Sequence, residues 1–334
     1  MLNRLRRLLI GSRLPTAQQA HERLTNFAAL AVFASDGVSS VAYATEEILL
    51  MLALAGTAHL SLSMPIAAAI ALLIAIVATS FRQVVHAYPR GGGSYAVARE
   101  NLGVIPGQIA GAALFVDYVL TVAVSVASGV AAITSAAPSL LEYRVPIGVV
   151  AIAFVTIANL RGARESAKVF MLPTYGFIVS LYALIVVGVA KLVMGAPPVE
   201  SLPTATDVVP VQDGITLFLI LRAFSSGCAA LTGLEAVSDG VTAFREPVSR
   251  NAAKVMTVLA AILGTLFVGI TSLANHYHVM PVHYETVVSQ IARATFGRDW
   301  FYYVIQVCTA VILILAANTS FNGFPRLASV QAGD

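Results

Sequence analysis

Charge is what this sequence has least of. Only 11% of its 334 residues are Asp, Glu, Lys or Arg, against 58% that are hydrophobic, and the mean hydropathy is +0.83. A water-soluble chain of this length could not hide so much apolar surface in one core, which excludes the soluble classes and points to a membrane protein. Cysteine is almost missing as well. Cys228 and Cys308 both fall in apolar stretches, with neither zinc-ligand nor redox spacing, so each reads as structural. No GxxxxGK[ST] phosphate loop is present to drive an ATP-fuelled pump, and no HExxH or nucleophile-elbow motif supports an intramembrane hydrolase. What remains is non-enzymatic movement of a solute down a gradient, with no cofactor called for. The basic N-terminus has an apolar stretch of only Leu8–Ile10 and no small-residue cleavage site, so residues 1–26 read as a cytoplasmic segment rather than a signal peptide.

Hydropathy over a window of about 19 residues divides the chain into eight spans: 27–56, 62–81, 104–135, 145–160, 169–191, 214–242, 255–275 and 300–321. Laid alternately across a bilayer with the N-terminus inside, they put fifteen Lys and Arg residues on the inner side and four on the outer, with Arg222 within a span. That asymmetry predicts a cytoplasmic N-terminus and an even number of spans. The pI of 8.9 then describes an inner face in contact with anionic lipid, not a nucleic-acid partner.

Asp36 lies in the middle of the first span, followed at once by Gly37, Ser39 and Ser40. A carboxylate at mid-bilayer costs roughly 2.5–3.5 kcal/mol on insertion scales, so its presence there is a functional hypothesis by default. Irregular backbone inside a membrane is tolerated only where it lines a cavity or is buried in protein, and the helix-weakening run after Asp36 predicts such a break near residues 36–40. The sixth span repeats the logic: Ser225, Ser226, Gly227, Thr232 and Gly233 predict a second break near 226–231, although close helix packing on the two glycines is the competing account. Interruptions in spans one and six are what a five-plus-five inverted repeat demands.

In the third span Asp117, Thr121, Ser125 and Ser128 recur on one helical stripe, where carboxylate and hydroxyl oxygens suit a hard cation. Back-bonding of the hydroxyls to their own helix is the alternative use. Tyr43, two turns beyond Asp36, is placed to face the same cavity, and Glu46, Glu47 and Glu235 are candidates for proton relay. Arg222 is a candidate partner for one of these carboxylates. The loop Tyr88-Pro89-Arg90-Gly91-Gly92-Gly93-Ser94-Tyr95 lacks the strand and Lys-Ser/Thr of a phosphate cradle and reads as a gate. His276, His278 and His283 read as solvated loop histidines, with no Cys or carboxylate motif to make a metal site.

Several ordered strings then carry a resemblance. ASDGVSSVAYATEEIL (34–49), AYPRGGGSYAVARENLGV (87–104), VDYVLTVAVSVASG (116–129), NLRGARES (159–166) and RAFSSGCAALTGLEAVSDGVTAFREP (222–247) resemble the KimA-type potassium importers of the amino acid-polyamine-organocation superfamily. The resemblance implies an all-α integral membrane protein with a LeuT-like inverted-repeat fold, broken helices one and six, and proton-coupled potassium uptake across the cytoplasmic membrane. It implies that potassium is held by Asp36, Tyr43, Asp117, Tyr118, Thr121, Ser125 and Thr232, with Asp117, Asp36 or Glu235 carrying the proton. Relatives of this type have twelve spans and a cytoplasmic domain that supports dimerisation, so the expected division here is 1–26 cytoplasmic, 27–322 transmembrane and 323–334 a truncated tail, with a homodimer in a full-length form. An amino-acid or polyamine permease of the same superfamily is the alternative, and a non-transporting sensor or inactive fragment a second one. Asp36 would repel a substrate carboxylate and attract a bare cation, which favours potassium or another monovalent ion.

Overall fold

The computed structural model describes residues 23–89, 91, 93–160, 167–203 and 214–332. Arg4, Arg6, Arg7, Arg13, Arg90, Arg161 and Arg164 of the charge count, and Gly92 of the glycine loop, lie outside them. The described residues form helices α1 (Asn26–Ala53), α2 (Ser63–Ala87), α3 (Gly93–Leu102), α4 (Val104–Ala136), α5 (Arg144–Leu160), α6 (Ala167–Val193), α7 (Leu217–Gly227), α8 (Leu234–Asp239), α9 (Val248–His276), α10 (Val287–Phe296) and α11 (Trp300–Ala332). Among them are eight segments long and apolar enough to span a bilayer, matching the eight read from hydropathy.

Their burial sets out the architecture. In the most apolar stretch of α1, 78% of residues are buried, against 11% for the Pro138–Leu160 segment, so α1 is the central post and α5 lies at the periphery. α1 packs on α6, α7, α9 and α11, while α2 lies along α9 and α4 along α11. The chain uses one order of elements twice. A central span (α1, then α7 with α8) leads to a long helix (α2, then α9), a ten-residue helix (α3, then α10) and another long helix (α4, then α11). This recurrence is what the expected inverted repeat calls for, with spans six to eight following the pattern of spans one to three.

The expected pair of broken helices is half realised. The sixth span does break: α7 stops at Gly227, Cys228–Leu231 form a 3-10 turn, Thr232 is extended and Gly233 is left-handed at φ +82° before α8 begins. The first span does not. α1 runs without interruption through residues 36–40, a correction to the reading of its Asp-Gly-Val-Ser-Ser run as a break. The reason lies in where those residues spend their weakness. The hydroxyls of Ser35, Ser39 and Ser40 donate back to the carbonyls of Val32, Asp36 and Gly37, at 2.9, 2.7 and 2.6 Å, and so stay inside the helix. Gly37 is used for close approach rather than bending: a Cβ there would stand 2.9 Å from Thr232 O.

Candidate functional site

The centre of the molecule is the crossing of α1 with the break in the sixth span. A Cβ at Gly233 would lie 2.3 Å from the Gly37 nitrogen, so two glycines in register let the broken backbone rest directly on α1 beside Asp36. Asp36 is only 7% exposed, and its Oδ1 is buried without a hydrogen-bond partner. On α4, Thr121 and Ser125 are buried, and the Ser125 hydroxyl likewise makes no hydrogen bond. Tyr43 is buried and approaches Ser125 without closing a hydrogen bond, within electrostatic range of Asp36 and Asp117. Asp36 feels the charge of Asp117 in turn.

Other expected residues are placed less uniformly. Asp117 stands on an exposed face of α4, so its stripe is open at its first member, buried at Thr121 and Ser125 and half-buried at Ser128. Tyr118 is half-buried, packs over Gly323 of α11 and lies within range of Asp36, Asp117, Glu235 and Asp239. Thr232 contributes its carbonyl to the contact with Gly37. Glu235 points away from this centre to the start of α3, where its Oε1 accepts from Ser94 N at 2.7 Å. Arg222 is exposed on α7 and pairs with no described carboxylate, which sets aside its expected ion pair.

Among the described residues, what gathers around Asp36 is therefore a set of carboxylate, phenol and hydroxyl oxygens. Buried polar atoms are normally paired, and an unpartnered buried carboxylate oxygen is the kind of group a bound cation satisfies. Among the described residues no three His, Cys, Asp or Glu side chains gather as a metal site, and the oxygen set suits a hard monovalent ion rather than a transition metal.

Two closures flank this centre. On the face carrying the N-terminus, the chain before α1 pairs with the loop after α8: Leu24 N donates to Ala243 O at 2.8 Å and Arg245 N to Leu24 O at 3.1 Å. Arg23 pairs with Glu246 beside them, and the Glu235 carboxylate holds the first turn of α3. A Cβ at Gly93, where φ is +49°, would stand 2.7 Å from Glu235 Oε1 and 2.0 Å from Asp239 Oδ1. On the opposite face, Val287 N at the start of α10 donates to Glu46 Oε2 of α1 at 3.1 Å, and Thr286 N donates to Ser135 Oγ of α4 at 3.0 Å. Behind them Arg293 clamps Glu285 through Nε at 3.0 Å and Nη2 at 2.8 Å, and Ser289 bridges Glu285 to the fully buried Tyr302.

Reading the sequence missed α10 and its network, because residues 276–299 read as a loop. The signal was present: Thr286 precedes Val287, Val288, Ile291 and Thr295 at helical spacing, and all of these side chains are buried or nearly so. The glycine loop was expected to form a gate, and Gly93 and Ser94 do open a helix docked on the sixth span.

Comparison with known proteins supplies the family. The chain is 49% identical to the potassium transporter KimA of Bacillus subtilis (strain 168) over 336 residues, covering all of this chain and 55% of that protein. It thus spans about half the length of the curated relative it matches. Eight apolar spans and this relationship make it a multi-pass membrane protein. The amino acid permease family matches residues 24–330, from the strand-like contact before α1 to the last turn of α11, and the chain belongs to that family.

Proposed function

We propose that this chain forms the ion-binding part of a secondary transporter that takes up potassium, or a related monovalent cation, together with protons. The observation that carries the reading is the buried, unpartnered Asp36 Oδ1, with Tyr43 in electrostatic range of it and approaching the equally unpartnered Ser125 hydroxyl. Tyr43, Asp117, Tyr118, Thr121 and the backbone at Thr232 complete the ion-binding set. The continuity of α1 supports a cation over an amino acid. A substrate carboxylate is received by free N–H groups at a half-helix N-terminus, and an unbroken α1 offers none beside Asp36. The potassium transporter to which the chain is 49% identical supports the same choice.

In this reading Asp36 stays charged as the ion ligand, while Asp117, the less buried of the two, exchanges a proton for the ion, with Glu235 as the other candidate. Potassium and protons are the transported species and no cofactor takes part. The chain sits in the cytoplasmic membrane with its N-terminus inside, and a full-length form pairs as a homodimer. Both closures are formed at once, which corresponds to an occluded stage of alternating access.

Ligand-linked stabilisation tests the proposal, because whatever binds the folded state raises its melting temperature with concentration. Potassium should raise the melting temperature of the purified chain where choline does not, and Asp36→Asn should abolish the response. Stabilisation by amino acids or a polyamine and not by potassium would establish the alternative substrate class. No response to any of these, with the chain folded, would favour a non-transporting role. Uptake of a proton from solution when potassium is removed, lost in Asp117→Asn, would support the coupling.

A further inference from the structure

Below the ion site, at the face carrying the N-terminus, a cleft of roughly 710 Å³ opens between α1, α2, α6 and α9. Its basic side chains come in helical pairs. Arg82 and His86 stand one turn apart at the end of α2, and Arg250 and Lys254 one turn apart at the start of α9. All four are exposed and no described carboxylate lines the cleft or pairs with the three permanently charged members. The adjoining cleft shares His86 and Arg250 with this one and carries Glu246, which is already paired with Arg23.

Arg250 and Lys254 lie near the start of α9, whose first N–H, that of Val248, already meets the Glu246 carboxylate, so it is the unpaired side chains and not the helix end that call for an anion. A second feature turns this charged face into a site. The part of the lining formed by Phe27 and Tyr175 is apolar and built: their rings stack at 4.1 Å with an interplanar angle of 7°, and the Tyr175 hydroxyl donates to Phe27 O at 2.9 Å. Phe27 is nevertheless 60% exposed. Anion-binding groups and a flat exposed hydrocarbon wall lining one cleft match an amphiphile with a phosphate head. We infer that this cleft binds an anionic glycerophospholipid, its phosphodiester among Arg82, His86, Arg250 and Lys254 and an acyl chain along Phe27 and Tyr175.

The experiment is native mass spectrometry of the whole chain, purified and exchanged into mixed micelles of phosphatidylglycerol and phosphatidylcholine. The wild type should retain phosphatidylglycerol over phosphatidylcholine by on the order of tenfold, given the attraction each Lys or Arg exerts on an anionic headgroup. The triple variant Arg82→Gln, Arg250→Gln, Lys254→Gln should lose that preference, and Lys254→Gln alone should lose part of it if the triple variant does not fold. Arg245→Gln, a basic residue of the same face outside the cleft, should leave it intact. Equal loss in Arg245→Gln, or full retention in a folded triple variant, would overturn the site. Displacement of the lipid by millimolar glycerol phosphate would overturn the lipid as its occupant and leave a free-phosphate site instead.

Discussion

The two ends of this molecule are closed by related devices built from different materials. At each end the first turn of a ten-residue helix donates a backbone N–H to a carboxylate from the other half of the fold. Ser94 of α3 reaches Glu235 in the sixth span, and Val287 of α10 reaches Glu46 in the first. Behind α10 stands a buried polar network of Glu285, Arg293, Ser289, Tyr302 and Ser135. Around α3 the supporting contacts are main-chain bonds near the surface and an Arg23–Glu246 pair whose side chains are 45% and 69% exposed. Local opening is easiest where hydrogen bonds are exposed and few apolar contacts are shared. The N-terminal face should therefore open at a lower free-energy cost than the opposite one, and amide exchange should be faster in 93–102 than in 287–296.

The largest effect should come from breaking the stronger end. Arg293→Met leaves Glu285 buried without its cation, which costs about 3 kcal/mol for a pair enclosed in this way. Thermal unfolding should shift down accordingly and exchange in 287–296 should rise to the level of 93–102. If α10 keeps its protection, the network is not what closes this face. Next comes Gly93→Ala, which puts a Cβ against two carboxylates at a left-handed residue, at a cost above about 1 kcal/mol. Exchange should accelerate in 93–102 and stay unchanged in 287–296; the reverse pattern would refute the assignment of ends.

Matched neutral variants sharpen the comparison further. Glu46→Gln and Glu235→Gln each weaken one carboxylate bond to a helix start, by about 1 kcal/mol. Because α10 is buried over most of its length and α3 only at Gly93 and Tyr95, the same chemical change should loosen α3 more. Equal responses would mean that the two closures are energetically equivalent. Smallest of all is Arg23→Gln, whose exposed pair should leave the melting temperature unmoved within error. Its pH behaviour has a definite sign. The hydrogen bond from Arg23 holds the Glu246 carboxyl below its ordinary range, so any contribution is present above that range and fades as pH falls through the lowered value. A pair signal in the Glu246 carboxyl resonance that strengthens on acidification would contradict this.

The spans were legible because each is a long apolar run, and Asp36 was legible because a lone carboxylate inside such a run is costly wherever the helix goes. The break in the sixth span was legible from its small residues. The same rule misread the first span, because propensity cannot tell whether Gly37 bends its own helix or makes room for another backbone. That choice is made by Gly233, nearly two hundred residues away. The network around Arg293 was hidden for a similar reason. Its members are scattered from Ser135 to Tyr302, each unremarkable until the fold brings them together.

An unbroken α1 also has a mechanical meaning. It is held near one end by the Leu24 contacts with the loop after α8, near the other by Glu46, and in between by the glycine contact with Gly233. With a rise of 1.5 Å per residue, Gly37 lies ~14 Å from Glu46 and ~17 Å from the helix start, so a rigid tilt of ~10° about that contact carries the two ends ~2–3 Å in opposite senses. A hinged helix could release one end and leave the other in place. A stiff rod pivoting on a fulcrum cannot, so slackening at either face is felt at the other as strain, and Asp36 sits where the rod moves least.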